Sequence, residues 1–337
     1  MDQWRPAESS GLQGPSRRQG SPRGGPGASD PVSPASKAVE VKVGDRVLKL
    51  TNLDKVLWPE AGFTKGQMID YYTRVAPALL PHLKDRPLTL KRYPNGVDGE
   101  MFYEKNCPAH RPDWIRTAKV WSDGNNRWMY YCLVQDLPSL VWVAQLGTIE
   151  LHTSLSLYRK LSQPRMLVFD LDPGPPANIV DCCEVAQWLR AWFQEHDLQS
   201  FCKTSGSKGL QMYVPLNTPV DYEQTKLISK GLAQKFERER PERVVHVQRK
   251  MLREGRVLID WSQNDEYKTT VNVYSLRARA RPTVSTPVTW EEVEGCFEAR
   301  DPELLVFDSA HVLDRIERLG DLFEPVLTLK QKLPKEV

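Results

Sequence analysis

The sequence predicts an α/β protein: a mixed β-sheet flanked by helices carries the chemistry, and a smaller N-terminal subdomain is attached to it. Two observations support this. Apolar runs of strand length end in carboxylates, and amphipathic stretches of helix length lie between them. The first run is Arg165-Met-Leu-Val-Phe-Asp170-Leu-Asp172-Pro173. Its aliphatic and aromatic residues read as a core strand. Strand side chains repeat with period two, so Asp170 and Asp172 share one face at its C-terminal end. Two ionised carboxylates this close repel each other and resist burial unless a cation or donors compensate. Divalent ions held by oxygen ligands would compensate them. A strand end running into a solvated turn at Pro173-Gly-Pro-Pro176 would also account for them.

Two further segments strengthen the metal reading. Val257-Leu-Ile-Asp260-Trp261 is a second apolar strand whose carboxylate completes a three-carboxylate set if the strands are neighbours. Between them lies Lys203-Thr-Ser205-Gly-Ser-Lys208-Gly209. Glycines there let backbone amides approach an anion, and Lys208 supplies a compact positive charge. The spacing is not that of a Walker A loop, so a P-loop fold is not implied. Alone, the segment would read as a polar hairpin turn.

The remaining elements follow in order. Residues 1–38 are rich in Gly, Pro and Ser, with Arg17, Arg18 and Arg23, and cannot bury enough apolar surface to fold. They are expected to be a disordered tail, either inert or in contact with DNA phosphates or a partner. Val41, Val43, Val47 and Leu48 predict a hairpin turning at Gly44-Asp45. Thr64-Lys65-Gly-Gln67 has the form of a capping box, followed by apolar residues at helical spacing from Met68 to Leu79. Lys65 lies in that helix's first turn, where a cation opposes the dipole and an anion would be welcome. Phe102-Tyr103 follows a turn-rich stretch and suits base stacking or core packing. Amphipathic stretches at 179–193 and 221–238 read as helices without chemistry. Arg277, Arg279 and Arg281 alternate with Leu or Ala-type positions, so an extended segment would show all three on one side.

Composition excludes little. The net charge of +3 over 337 residues is too small to diagnose nucleic-acid binding. The six cysteines contain no C-x-x-C and suggest neither a zinc cluster nor a disulfide framework. Cys107 and His110 are at most half a metal site. No apolar run of about 18 residues and no signal-peptide pattern occurs, which predicts no membrane span and a reducing cytoplasmic setting.

The ordered motifs Asp170-x-Asp172, Ser205-Gly-Ser-Lys208-Gly and Asp260-Trp-Ser-Gln263-Asn264 resemble the archaeo-eukaryotic primase superfamily, and more narrowly the polymerase domain of bacterial ligase D. Leu50-Thr-Asn52-Leu-Asp-Lys55, Lys91-Arg-Tyr-Pro-Asn-Gly96, Phe102-Tyr-Glu-Lys-Asn106, Ala144-Gln-Leu-Gly147 and Tyr274-Ser-Leu-Arg277 also match. The resemblance covers residues 40–325. It implies a primase-polymerase-like domain over 39–325, with DNA contacts in 39–160, a catalytic sheet in 161–290 and a C-terminal tail at 326–337.

The resemblance also implies roles. Asp170, Asp172 and Asp260 would be catalytic ligands of two divalent ions, manganese or magnesium. Ser205, Lys208, Gln211, His152, Gln263, Arg277, Lys91 and Asn52 would contact an NTP or dNTP, with ribonucleotides preferred. Lys55 and Lys65 would hold a DNA 5′-phosphate, and Phe102 and Tyr103 would stack on template. Gln211 departs from the family pattern, which has histidine there; a neutral donor replaces a charged one. The implied partners are gapped or broken double-stranded DNA bearing a 5′-phosphate, a Ku-type end binder and a separate ATP-dependent DNA ligase, since no K-x-D-G motif occurs. A nucleoid-associated, cytoplasmic gap-filling polymerase of end joining is the leading expectation. A primase-like polymerase of damage tolerance or excision repair, and a non-catalytic end-bridging module, are the alternatives.

Overall fold

A six-stranded mixed sheet forms where the apolar runs predict one. In the computed structural model, which describes residues 38–334 apart from 123 and 125, its spatial order is Val244–Val245, Val257–Asp260, Met166–Pro173, Leu210–Pro215, Phe201–Thr204 and Pro287–Val288. Only the first pair is parallel. Leu167, Phe169 and Leu171 of the Met166–Pro173 strand are buried against the helices Ile179–Glu195 and Tyr222–Glu239. The alternate positions turn their side chains to the opposite face. Both helices begin with a capping box, from Asn178 and Asp221, which fixes where the loops end. The amphipathic stretches foresaw both helices.

The second sheet has the order Thr270–Val271, Thr148–Thr153, Leu88–Arg92, Arg127–Cys132 and Thr117–Ser122, with Phe102–Glu104 paired to Leu88–Arg92. Thr270–Val271 follows the Asp260 strand in sequence yet pairs with Thr148–Thr153. The chain therefore crosses from one sheet to the other beside Asp260, and all described residues lie in one compact unit.

Near the N-terminus, the hairpin of Ala38–Val43 and Arg46–Thr51 turns where expected, with Gly44 at φ +61°. Thr64 and Gln67 close both arms of the capping box that starts the helix Lys65–Leu83. Two buried tyrosines pin this helix, one to the segment after Thr270–Val271 and the other to the second sheet. Tyr71 donates to the Tyr274 carbonyl at 2.8 Å, and Tyr72 donates to the Ile149 carbonyl at 2.6 Å.

Three expectations need correction. Cys107 and Cys132 form a disulfide across 25 positions. The Cys107 amide donates to the Tyr130 carbonyl at 2.6 Å, which draws this loop alongside the strand ending at Cys132. No local spacing motif signals such a pairing. The arginine segment is not extended: the Arg277 amide donates to the Thr283 carbonyl at 2.8 Å, so the chain reverses between them. Finally, the stretch expected as a C-terminal tail holds a short helix, Pro325–Thr328, and Val326 is fully buried. Gln331 donates to the Pro215 carbonyl at 2.8 Å and the Gln199 carbonyl at 3.0 Å. The expected tail at residues 1–38 lies outside the described residues except for Ala38.

Asn264 connects the fold to the site. It is fully buried, accepts from the Val168 amide at 2.9 Å and donates to the Val168 carbonyl at 2.7 Å. The Val257–Asp260 strand pairs with the Asp170 strand only from Asp170 onward, so Asn264 completes the ladder one step earlier. Asn264→Ala would leave a buried amide and carbonyl without partners, and is expected to cost about 2–4 kcal/mol. Urea denaturation of the two proteins checks this.

Candidate active site

The strand register places four polar side chains abreast. Asp260 stands opposite Asp170, Asp170 opposite Gln211, and Gln211 opposite Lys203. Residues directly opposite in adjacent strands point to the same face, so this row crosses the sheet perpendicular to the strands. Asp172, two positions beyond Asp170, joins the same face. Asp170, Asp172 and Gln211 line a cleft of about 260 Å³, together with His152, Ser205, Lys208, Gln263, Arg277 and Arg279. Arg281 is exposed and outside it, as the chain reversal requires.

The carboxylates differ in environment. Burial pushes the Asp170 carboxyl up to about 6, and the charges of Asp260 and Asp172 push the same way against a Gln211 hydrogen bond. Asp260 accepts from the Ser262 amide at 2.9 Å and hydroxyl at 2.6 Å, and from Gln263 Nε2 at 3.0 Å and Gln248 Nε2 at 3.1 Å. Arg253 donates to the more exposed Asp172 at 2.9 Å. Among the described residues, no three acidic, histidine or cysteine side chains converge as a formed metal cluster. The donor chemistry still fits a divalent ion. The oxygens are hard ligands, and burial first, then the neighbouring carboxylates, raises the Asp170 carboxyl, so a bound cation would favour its ionised form.

The Ser-Gly loop caps one end of the row. Ser205 Oγ accepts from the amides of Ser207 at 3.2 Å and Gly209 at 3.1 Å. Its glycines are required by packing. A Cβ on Gly209 would lie 2.1 Å from the Leu171 carbonyl oxygen, and one on Gly206 would lie 2.7 Å from the Val284 backbone. Lys208 stands exposed at the cleft edge. The Arg277 guanidinium donates to the Ser205 carbonyl, tying the arginine to the loop.

Sequence reasoning missed the residue that organises the cations. Glu150 is 1% exposed. It accepts from His152 Nε2 at 2.8 Å, Lys91 Nζ at 3.1 Å and the Ala278 amide at 3.1 Å, and lies 3.3 Å from Arg277 Nε. Burial favours its neutral form, but the His152 hydrogen bond and the charges of Arg277, His152 and Lys91 hold its carboxyl well below the usual carboxylate range. Burial outweighs Glu150 at His152 and lowers the imidazole. The alternation Glu150-Leu-His152 in an apolar strand was the available signal. Lys203, fully buried beside Gln211, was also missed.

Other predicted residues lie away from the row. Lys55 donates to Asn95 Oδ1 at 2.7 Å, and Lys65 donates to the Thr51 carbonyl at 2.9 Å. Backbone pairing of Lys65 with Lys55 brings the two together. Burial, then the Lys55 charge, lowers the Lys65 ammonium to about 8. Asn52 is exposed in the turn before Lys55, at φ +56°, and does not line the cleft. Phe102 and Tyr103 are exposed, and Tyr103 donates to or accepts from Thr269 Oγ1 at 3.1 Å. The Tyr103 ring sits edge-on to His152 at 6.3 Å, next to the cleft.

A mixed α/β fold carrying an acidic row, a Ser-Gly loop and clustered arginine and lysine is one class of charged-cleft architecture. Comparison with known proteins narrows it. Residues 64–323 match the family model "LigD, primase-polymerase domain", and the chain belongs to that family. It is 39% identical over 281 residues to the multifunctional non-homologous end joining protein LigD of Mycolicibacterium smegmatis, covering 83% of this chain and 36% of that protein. The bifunctional LigD of Bacillus subtilis is 29% identical over 299 residues, 86% of this chain and 47% of the relative. The chain thus spans about a third to a half of these relatives' length. Among solved structures, the polymerase domain of Mycobacterium tuberculosis ligase D in complex with DNA superposes with a TM-score of 0.77 at 38% identity, covering 84% of this chain and 99% of that one. Among the described residues, no helix is long and apolar enough to cross a membrane.

Asp170 makes stability depend on pH. Its folded carboxyl titrates at about 6 instead of 3.8, so the folded chain holds this proton more tightly. The resulting cost to stability is absent well below pH 3.8, grows between 3.8 and about 6, and is complete above that. In chelator at pH 8, Asp170→Asn is expected to stabilise the protein by on the order of 1–2 kcal/mol. At about pH 3 the gain should vanish. Denaturation at both pH values measures the difference.

Proposed function

We propose that the protein is a template-dependent nucleotidyltransferase that fills gaps and extends ends during double-strand break repair by non-homologous end joining. The observation that carries this reading is the in-register row of Asp260 and Asp170, with Asp172 and the Ser205–Gly209 loop beside it, in a chain of the LigD primase-polymerase family.

Two divalent ions, manganese or magnesium, held by Asp170, Asp172 and Asp260 would supply the charge and alignment that nucleotidyl transfer requires. The chain's own groups account for the rest. Arg277, Lys208 and the loop amides neutralise a triphosphate. Ser205 keeps the loop closed around those amides through its two accepted hydrogen bonds. Gln263 orients the Asp260 carboxylate, and His152, held by Glu150, offers a nucleotide contact. Lys91 completes the cationic wall through Glu150. Phe102 and Tyr103 present rings for an unpaired template base, and Lys55 with Lys65 takes the 5′-phosphate of a gap. A partly buried ammonium lowered to about 8 gains from a phosphate neighbour, which restores its charge. Ribonucleotide preference, a Ku-type end binder and an ATP-dependent ligase activity complete the reading; its end-joining role is supported by the end-joining proteins this chain resembles.

One observation favours a second reading, a non-catalytic end-bridging module. Asp260 and Asp172 already have protein donors, and Gln211 stands where the family pattern has histidine. The two readings part on a gapped duplex with a recessed 5′-phosphate, supplied with manganese and ribo- or deoxynucleotides. Templated incorporation is expected, falling roughly a hundredfold or more in Asp260→Ala. Absence of incorporation, with 5′-phosphate-dependent binding intact, would establish the bridging module.

A further inference from the structure

A buried lysine lies behind the acidic row, where burial holds its amine well below the usual lysine range against the nearby Asp170. Lys203 is 1% exposed, and its Nζ donates to Gln211 Oε1 and, at 2.7 Å, to Ser285 Oγ. Tyr213 donates to the same amide oxygen at 3.2 Å. The lysine is the donor in both of its hydrogen bonds. Gln211 therefore has only one satisfactory orientation, with its oxygen turned toward Lys203. Its NH2 group faces the other way and donates to Thr270 Oγ1 at 3.2 Å, on the side of Asp170, its partner across the strand pair. A flipped amide would set its oxygen against the Asp170 carboxylate and its NH2 against the Lys203 donor. The first contact would be repulsive and the second would set donor against donor, and buried polar groups without partners are costly.

The second consequence is electronic. A hydrogen bond donated to the carbonyl end of an amide polarises it and strengthens its N–H donors. We propose that Lys203 is a positioning residue of the transfer site: it fixes Gln211 with its donor end toward the cleft and, through its own hydrogen bond, strengthens that amide as a donor. The inference rests on the polymerase reading for its reaction and on the triphosphate subsite for its ligand. Lys203 touches neither the nucleotide nor the acidic row through a hydrogen bond, and acts through Gln211.

A double-mutant cycle tests this with Lys203→Met, Gln211→His and the combined variant. An imidazole can carry its own charge and needs no donor behind it. Two quantities are measured in each: kcat and KM for nucleotide addition to a gapped duplex, and the dissociation constant of a fluorescent non-hydrolysable nucleoside triphosphate. Alone, Lys203→Met should weaken triphosphate binding and kcat/KM by roughly tenfold to a hundredfold. In the Gln211→His background the same change should cost nothing. Equal losses in both backgrounds would show Lys203 to be a structural residue and overturn the inference.

Melting curves accompany all variants. Should Lys203→Met fail to fold, Tyr213→Phe removes the other donor to the amide oxygen and is run in both backgrounds. A several-fold loss confined to the Gln211 background supports the orientation; equal effects in both reject it. Wild-type protein that binds triphosphate without transferring it would end the polymerase reading, and the binding cycle would then decide the inference alone. Wild-type protein that binds no triphosphate would overturn both.

Discussion

The site depends on one electrostatic constraint: Asp170 has a carboxylate opposite it on the next strand and another two positions along its own. Neither the register nor the period-two repeat can be changed without turning the apolar face of the strand out of the core. Leu167, Phe169 and Leu171 are fully buried, so hydrophobic packing on one face forces like charges together on the other. The protein answers unevenly. Asp260 receives four donors and Asp172 an arginine, while burial leaves the carboxyl between them raised. An acidic row held this way is a folding cost that only a cation relieves in full.

Around the row, close packing does what flexible loops cannot. The contact of Gly209 with the Leu171 carbonyl places the loop directly against the acidic strand, one residue from both Asp170 and Asp172. Gly206 lets the Arg277 side chain and the 284–285 backbone pass beneath the loop. Arg277 in turn follows Tyr274, whose carbonyl is held by Tyr71 of the Lys65–Leu83 helix. The helix that starts at Lys65 and the arginine at the cleft thus share one rigid connection.

Much of this was legible in the sequence. Apolar runs of strand length located the two carboxylate strands, and Thr64 with Gln67 marked a helix start, because local patterns determine both. Three features were not legible, for related reasons. The Cys107–Cys132 disulfide joins a loop to a strand with no spacing signature. The reversal at Arg277 comes from long-range pairing with residue 283, which overrides the alternation that suggested an extended segment. Lys203 read as the polar start of a loop, since its burial becomes visible only once Gln211 and Ser285 surround it. The glycines were recognised but assigned a different reason: anion approach was foreseen, and contact with Leu171 and Val284 is what the backbone requires.

Overall charge told nothing, because the charges are sorted locally. Lys91 and Arg277 belong to different sheet regions and would repel each other across a partly buried wall. Glu150 accepts from one and faces the other, while it also fixes His152. A single buried carboxylate serving two cations and an imidazole is stable only because every oxygen is used; burying it with one partner missing would cost several kcal/mol by the usual penalty for an uncompensated ion. The cleft is therefore built from two opposed charge arrangements: carboxylates awaiting cations on one strand set, and cations gathered around a carboxylate on the other. A ligand with negative phosphates and accompanying divalent ions satisfies both sides at once, whereas a simple anion or a simple cation satisfies only one.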